Sequence, residues 1–148
     1  MKIINPAKNS IPLKYPVGNI YQLYGENVDL YLKAIACRGH NGIDIAMAEG
    51  TPILATNGQV VEVKDTPEGY GKHIRILTLL EDNTYYELVF GHLKDIFVKI
   101  GDWVDNGQEI ATMGNTGFVI SGNTPYWGNA PAGKGVHLHF GVRECSVE

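Results

Sequence analysis

The sequence predicts a mainly β fold folded as a single domain over residues 1–148. Two observations carry this. Most of the 18 glycines fall between short runs rich in Val, Ile, Leu and Tyr, which is strand-and-turn punctuation. No internal repeat or low-complexity linker divides the chain, and 148 residues suffice to close one hydrophobic core. The strand candidates are Ile20 to Tyr24, Ile43 to Met47, Ile53 to Ala55, Gln59 to Lys64, His73 to Leu79, Thr84 to His92, Glu109 to Gly114 and Val136 to Val142. One short N-terminal helix is expected after Asn27 as its cap, because Val28, Tyr31, Leu32 and Ile35 repeat at the spacing of one apolar helix face. Ser121 to Gly135 reads as loop throughout.

Composition excludes several classes. Hydrophobic residues at 44% and charged residues at 19% rule out a disordered or fibrous chain. A net charge of −4 with scattered Lys and Arg provides no basic stripe for nucleic acid. No apolar run approaches the ~20 residues that span a bilayer, and the polar start from Met1 to Leu13, broken by Pro6 and Pro12, resembles no signal peptide. Cys37 and Cys145 form no CxxC pair and so define neither a disulfide framework nor a thiolate metal site.

The chemistry-bearing residues gather in two short motifs. In His40-Asn41-Gly42-Ile43-Asp44 an imidazole and a carboxylate stand four residues apart, a spacing that returns both to one face, with Gly42 allowing a bend between them. In His137-Leu138-His139 the apolar surroundings predict a strand, so both imidazoles share a face roughly 7 Å apart while Leu138 packs behind. Imidazole and carboxylate donors suit the borderline character of Zn²⁺ better than Mg²⁺ or Ca²⁺, and three such ligands plus water make an open catalytic site. Phe90-Gly91-His92-Leu93 adds a further histidine. By its own pattern His92 shares parity with Tyr86, Leu88 and Phe90 and reads as a core histidine. His73 alternates with Ile74 and Ile76 beside Arg75 and reads as surface. The acids of Gly101 to Gln108 read as turn caps.

Taken together, these residues resemble the lysostaphin-type, or LytM-like, zinc metalloendopeptidases, which cut peptide cross-links of bacterial cell walls. The likeness runs from about residue 20 to 143 through Gly39 to Ala46, Gly50 to Ala55, Gly58 to Val61, Gly69-Tyr70-Gly71, Gly91-His92-Leu93, Gly114-Asn115-Thr116-Gly117 and His137 to Phe140. It implies an antiparallel β domain with a groove floored by one zinc ion. It also implies His40, Asp44 and His139 as metal ligands, and His92 and His137 as the histidines that assist the metal-activated water. The implied substrate is peptidoglycan peptide, met at the cell wall in an extracellular, periplasmic or virion-associated setting. The chain departs from many relatives in the long insertion from Phe118 to Val136, where Tyr126 and Trp127 would either line a substrate groove or pin the loop.

Three rivals remain in view. A non-catalytic module of the same fold, structural or regulatory, is disfavoured by the complete His and Asp set. A lipoyl- or biotinyl-like carrier needs a lysine at a hairpin tip, and Lys64-Asp65 lacks the neighbours for it. A glycosidase needs paired carboxylates across a cleft, which the sequence does not offer.

Overall fold

The computed structural model describes residues 2–4, 19–22, 42–79 and 85–145; the predicted helix, Cys37 and His40 lie outside the described residues. Within them the chain is strand and turn, with no helix. The strands are β1 (Lys2–Ile4), β2 (Asn19–Gln22), β3 (Ile43–Ala46), β4 (Pro52–Leu54), β5 (Gly58–Thr66), β6 (Gly71–Leu79), β7 (Tyr85–Ile96), β8 (Trp103–Val104), β9 (Glu109–Met113), β10 (Phe118–Ser121), β11 (Thr124–Trp127) and β12 (His137–Cys145). All pairings are antiparallel. The main sheet runs β2-β3-β12-β7-β6-β5-β8, with β1 also on β12. Strand β9 joins β4 to the far end of β7.

Alternation along each strand divides this sheet into an apolar and a polar face. Ile43 and Ile45 of β3, Leu138 and Phe140 of β12, Leu88 and Phe90 of β7 and Ile74 and Ile76 of β6 are all fully buried in one cluster. Register places Phe140 opposite both Ile43 and Phe90, and Phe90 opposite Ile74, so the apolar residues form rows across the strands. Ile53, Ile110 and Met113 from the β4 and β9 side complete the core. The intervening positions, Asp44, His137, His139, Gly91, Arg75 and Glu62, therefore share the other face. A bulge between Val60 and Glu62 keeps Glu62 opposite Arg75 while Val63 stays opposite Ile74.

The eight predicted strand regions are all present, several of them longer than the pattern suggested. Strands β1, β8, β10 and β11 are additions. The correction at the insertion has a clear cause. Ser121 pairs Thr124 directly, which leaves Gly122-Asn123 as a two-residue hairpin loop. Gly122 at φ 60° supplies the positive first angle that a type II′ turn needs. The predicted loop thus begins as a hairpin.

Two glycine-bearing loops meet backbone to backbone beside this hairpin. Gly71 and Gly117 both have positive φ, and a Cβ on either would run into the main chain of the other loop. The Phe118 amide donates to the Gly69 carbonyl at 2.7 Å, and the Gly128 amide to the Gly117 carbonyl at 2.8 Å. Gly117→Ala is expected to lose more than the ~1–3 kcal/mol of left-handed backbone strain, because main-chain atoms have no rotamer by which to yield. Urea unfolding measures this, and a loss below ~1 kcal/mol would contradict the close packing.

Candidate active site

Register brings Asp44 to the His137-Leu138-His139 strand. His139 of β12 stands opposite Asp44 of β3 on one side and Gly91 of β7 on the other. Asp44 Oδ1 lies 3.4 Å from His139 Nδ1 and 3.5 Å from His137 Nε2. All three side chains are buried. Gly42 passes so close that a Cβ there would reach 2.5 Å from the Phe140 carbonyl and 2.9 Å from His139 Nε2. The bend expected of Gly42 is thus also a requirement for space.

His92 arrives by a route that strand parity does not describe. Its φ of 64° is the one positive value on a non-glycine residue among the described residues. Here β7 stops pairing with β12, whose last partner is Gly91, and passes to β9 through Leu93 opposite Met113. The irregular backbone re-aims the side chain, which is what bulges do beside active sites. Its ring sits 4.5 Å from that of His137 and 6.2 Å from that of His139, centroid to centroid. The backbone is fixed on both sides. His92 N–H donates to the Tyr70 carbonyl at 2.7 Å, and Gly114 N–H donates to the His92 carbonyl at 3.1 Å.

Both histidines are tethered alike. His92 Nδ1–H donates to the Thr116 carbonyl at 2.7 Å, and His137 Nδ1–H donates to the Gly135 carbonyl at 2.8 Å. A carbonyl accepts and cannot donate, so each tether fixes the proton on Nδ1 and leaves Nε2 as the proton-accepting atom. Burial, then the neighbouring His137 and His139, push the His92 pKa well below its ordinary value, outweighing its bond to Thr116 and the charge of Asp44. At neutral pH His92 is therefore an uncharged imidazole.

Beside these groups lies a charged cluster that corrects the reading of His73. That residue is buried, with Nδ1 donating to the Gly71 carbonyl at 2.8 Å and Nε2 3.1 Å from Glu62 Oε2. Arg75 Nε donates to Glu62 Oε2 at 2.6 Å and Nη1 donates to Glu87 Oε1 at 2.8 Å. Burial acts to raise the Glu62 pKa, but hydrogen bonds from Lys64, Arg75 and His73 win and hold it at about 2, against an ordinary 4.5. Burial likewise disfavours the Arg75 charge, and Glu62 and Glu87 outweigh it and raise its pKa. A depressed carboxylate pKa stabilises the fold above the unfolded-state value and loses that effect as pH falls through the folded value. Glu62→Gln is therefore expected to lower Tm by an amount constant from neutral pH to about 4.5 and shrinking as pH approaches about 2. Thermal melts across that range check it, and a difference that grows in acid would contradict it.

Of the substrate-loop candidates, Tyr126 is half-buried on β11. Trp127, also on β11, packs on Phe118 of β10 with ring centroids 5.3 Å apart. Asn115 Nδ2 donates to the Pro131 and Lys134 carbonyls and holds the rest of the insertion. Asp102 Oδ2 accepts from Lys99 N–H at 2.9 Å, the turn-capping role expected of that acid. Sequence reasoning missed Tyr70. Its ring lies 4.9 Å from the His139 ring, and its signal was the place of Gly69-Tyr70-Gly71 among the motifs that carry the family resemblance.

Residues 38–148 match the model of a family described as Peptidase family M23. A metalloprotease of Haemophilus influenzae is 32% identical over 104 residues, covering 70% of this chain and 18% of that protein. The peptidoglycan DD-endopeptidase ShyB of Vibrio cholerae is 35% identical over 104 residues, covering 70% and 20%. The chain thus spans about a fifth of the length of these curated relatives. The catalytic domain of the prophage-encoded M23 protein EnpA from Enterococcus faecalis superposes with a TM-score of 0.63 at 26% identity, covering 91% of this chain and 87% of that one. The lysostaphin catalytic domain from Staphylococcus simulans gives 0.57 at 26%, covering 91% and 81%. A zinc-containing peptidase from Vibrio cholerae gives 0.57 at 26%, covering 97% and 36%. The family match, the antiparallel β architecture and the meeting of Asp44 with His137 and His139 agree that this chain belongs to peptidase family M23.

Proposed function

We propose that this chain is a zinc-dependent endopeptidase that hydrolyses peptide cross-links of bacterial peptidoglycan and acts at the cell wall. The observation that carries the reading is the convergence of Asp44, His137 and His139 on one point, with His92 against them and both non-ligand tautomers fixed. His40, Asp44 and His139 hold one metal ion, His40 being assigned through the HxxxD motif alone. The donor set fits that ion. Imidazole nitrogen and carboxylate oxygen are zinc ligands, and the 3.4 Å between Asp44 Oδ1 and His139 Nδ1 is close to the ~3.3 Å edge of a tetrahedron with ~2.0 Å bonds. When bound, zinc supplies a Lewis acid that polarises a scissile carbonyl and makes water acidic near neutral pH.

The protein's own groups supply the rest. Nε2 of His137 and Nε2 of His92 are the two positions from which a proton is accepted and returned. The tethers to Gly135 and Thr116 keep both nitrogens aimed without a rotamer search. Tyr70 borders the site, the β10–β11 hairpin is tied to the turn before it through the bond from Phe118 N–H to the Gly69 carbonyl, and we assign Tyr126 and Trp127 to contacts with the peptide. Trimming Ser121 to Lys134 is expected to shift the ratio of cross-link fragments several-fold. An unchanged fragment profile would leave the hairpin as scaffold.

The experiment is release of new amino groups from purified peptidoglycan by the protein as isolated, after chelation and after zinc is restored, with mass spectrometry of the fragments. Zinc-restored release supports the reading, and the fragment masses name the bond. Bound zinc with no release from walls of several bond types would favour a non-catalytic module of the same fold.

A further inference from the structure

Tyr70 belongs to neither the ligand set nor the proton-transfer pair, yet it touches both. Its ring lies 4.9 Å from the His139 ring at an interplanar angle of 32°, a tilted ring contact on the proposed ligand. Its carbonyl accepts the His92 N–H at 2.7 Å and so secures the residue whose backbone is twisted to positive φ. Gly91 makes room for this. A Cβ there would lie 3.3 Å from Tyr70 Cβ and 3.4 Å from His139 Cβ, so a side chain at that position would press the ring off the imidazole.

The ring is itself held. The Arg75 guanidinium lies over it, 5.6 Å from the centroid, and the His73 ring meets it at 5.5 Å and 64°, edge to face. Arg75 is gripped in turn by Glu62 and Glu87, each through a short charge-assisted bond. Surface chemistry does not require three charged groups in this arrangement, since isolated exposed pairs contribute little. A planar cation clamped by two carboxylates does fix an aromatic face.

We propose that Tyr70 is a positioning residue for this site: its ring sets the imidazole plane of His139, and the Glu62–Arg75–Glu87 clamp sets the ring. The proposal rests on the reading of His139 as a metal ligand. Contacts of this outer kind orient ligands and typically govern affinity or activity by ~10–100-fold.

The test uses zinc affinity by competition with a chromophoric chelator, the visible spectrum of the cobalt(II)-substituted protein, and kcat and KM on a cross-linked peptide. Tyr70→Phe, which keeps the ring, is expected to retain the zinc affinity and the cobalt bands. Tyr70→Leu should bind zinc ~10–100-fold more weakly, shift the cobalt bands, and lower kcat with little change in KM. Arg75→Lys keeps the charge but loses the planar fork, and should change the same readouts in the same direction by a smaller factor. A Tyr70→Leu protein with reduced Tm but unaltered zinc affinity and cobalt bands would reduce Tyr70 to packing and overturn the proposal. A Tyr70→Phe variant as impaired as Tyr70→Leu would overturn it as well. Should Tyr70→Leu fail to fold, Arg75→Lys decides: unaltered zinc affinity and cobalt bands there overturn the clamp. Absence of zinc binding before any substitution would sink the metal reading itself, an outcome distinct from all of these.

Discussion

His139→Ala is expected to abolish tight zinc binding and, with it, hydrolysis. The physical reason is the small number of protein donors. With only His40 and Asp44 of the proposed ligands remaining, the shell would fall from three protein ligands to two, and water cannot replace an imidazole on a borderline cation at comparable affinity. The readout with the largest signal is thermal. Zinc that binds only the folded protein raises stability by mass action, so chelation should lower the Tm of the unsubstituted protein and leave that of the variant unmoved. Metal analysis after dialysis gives the same answer independently. A variant that keeps full zinc content and a chelator-sensitive Tm would remove His139 from the ligand set. Asp44→Asn separates charge from shape, since it preserves the volume at a buried position while withdrawing the anion, and it should show the same loss.

His137→Ala should part binding from turnover. Its Nε2 lies 3.5 Å from Asp44 Oδ1, beside a proposed ligand but outside the proposed ligand set, and its Nδ1 is committed to the Gly135 carbonyl. Removing it leaves the three ligands in place, so zinc content and the chelator-sensitive Tm are retained. Hydrolysis should fall by ~10²–10⁴-fold, the usual contribution of a proton-transfer group. Because the loss lies in the reacting state, it should appear in kcat and kcat/KM together. Undiminished turnover would exclude His137 from the chemistry, and lost zinc would transfer it to the ligand set.

Much of the site was readable because its parts are short-range. His137-Leu138-His139 needs only the two-residue period of a strand to place two imidazoles on one face, and Asp44 needs only the pairing of β3 with β12. What strand parity hid has a physical cause in each case. His92 counts as a core position along β7, and only a positive φ, which no side-chain pattern announces, turns it toward the histidines. His73 and Arg75 were correctly seen to share a polar face, but polar was equated with exposed, whereas Glu62 and Tyr70 cover that face. At the insertion the loop reading overlooks that Gly122-Asn123 is itself a hairpin signal. A proline in a two-stranded ribbon sits on an edge, where its missing N–H is tolerated.

The bond from the Gly128 amide to the Gly117 carbonyl carries a consequence for how such a domain changes over time. It closes the excursion of β10 and β11 onto the point of departure, so the first part of the insertion leaves and rejoins the scaffold at nearly one place. Loop-closure cost rises only slowly with length, which makes that junction a socket into which hairpins of other lengths can be exchanged. The histidines, anchored on β7 and β12, stay in place through such an exchange. A hairpin of another length can thus be seated between Gly117 and Gly128 while His92 and His137 keep their tethers to Thr116 and Gly135, which lie outside that junction.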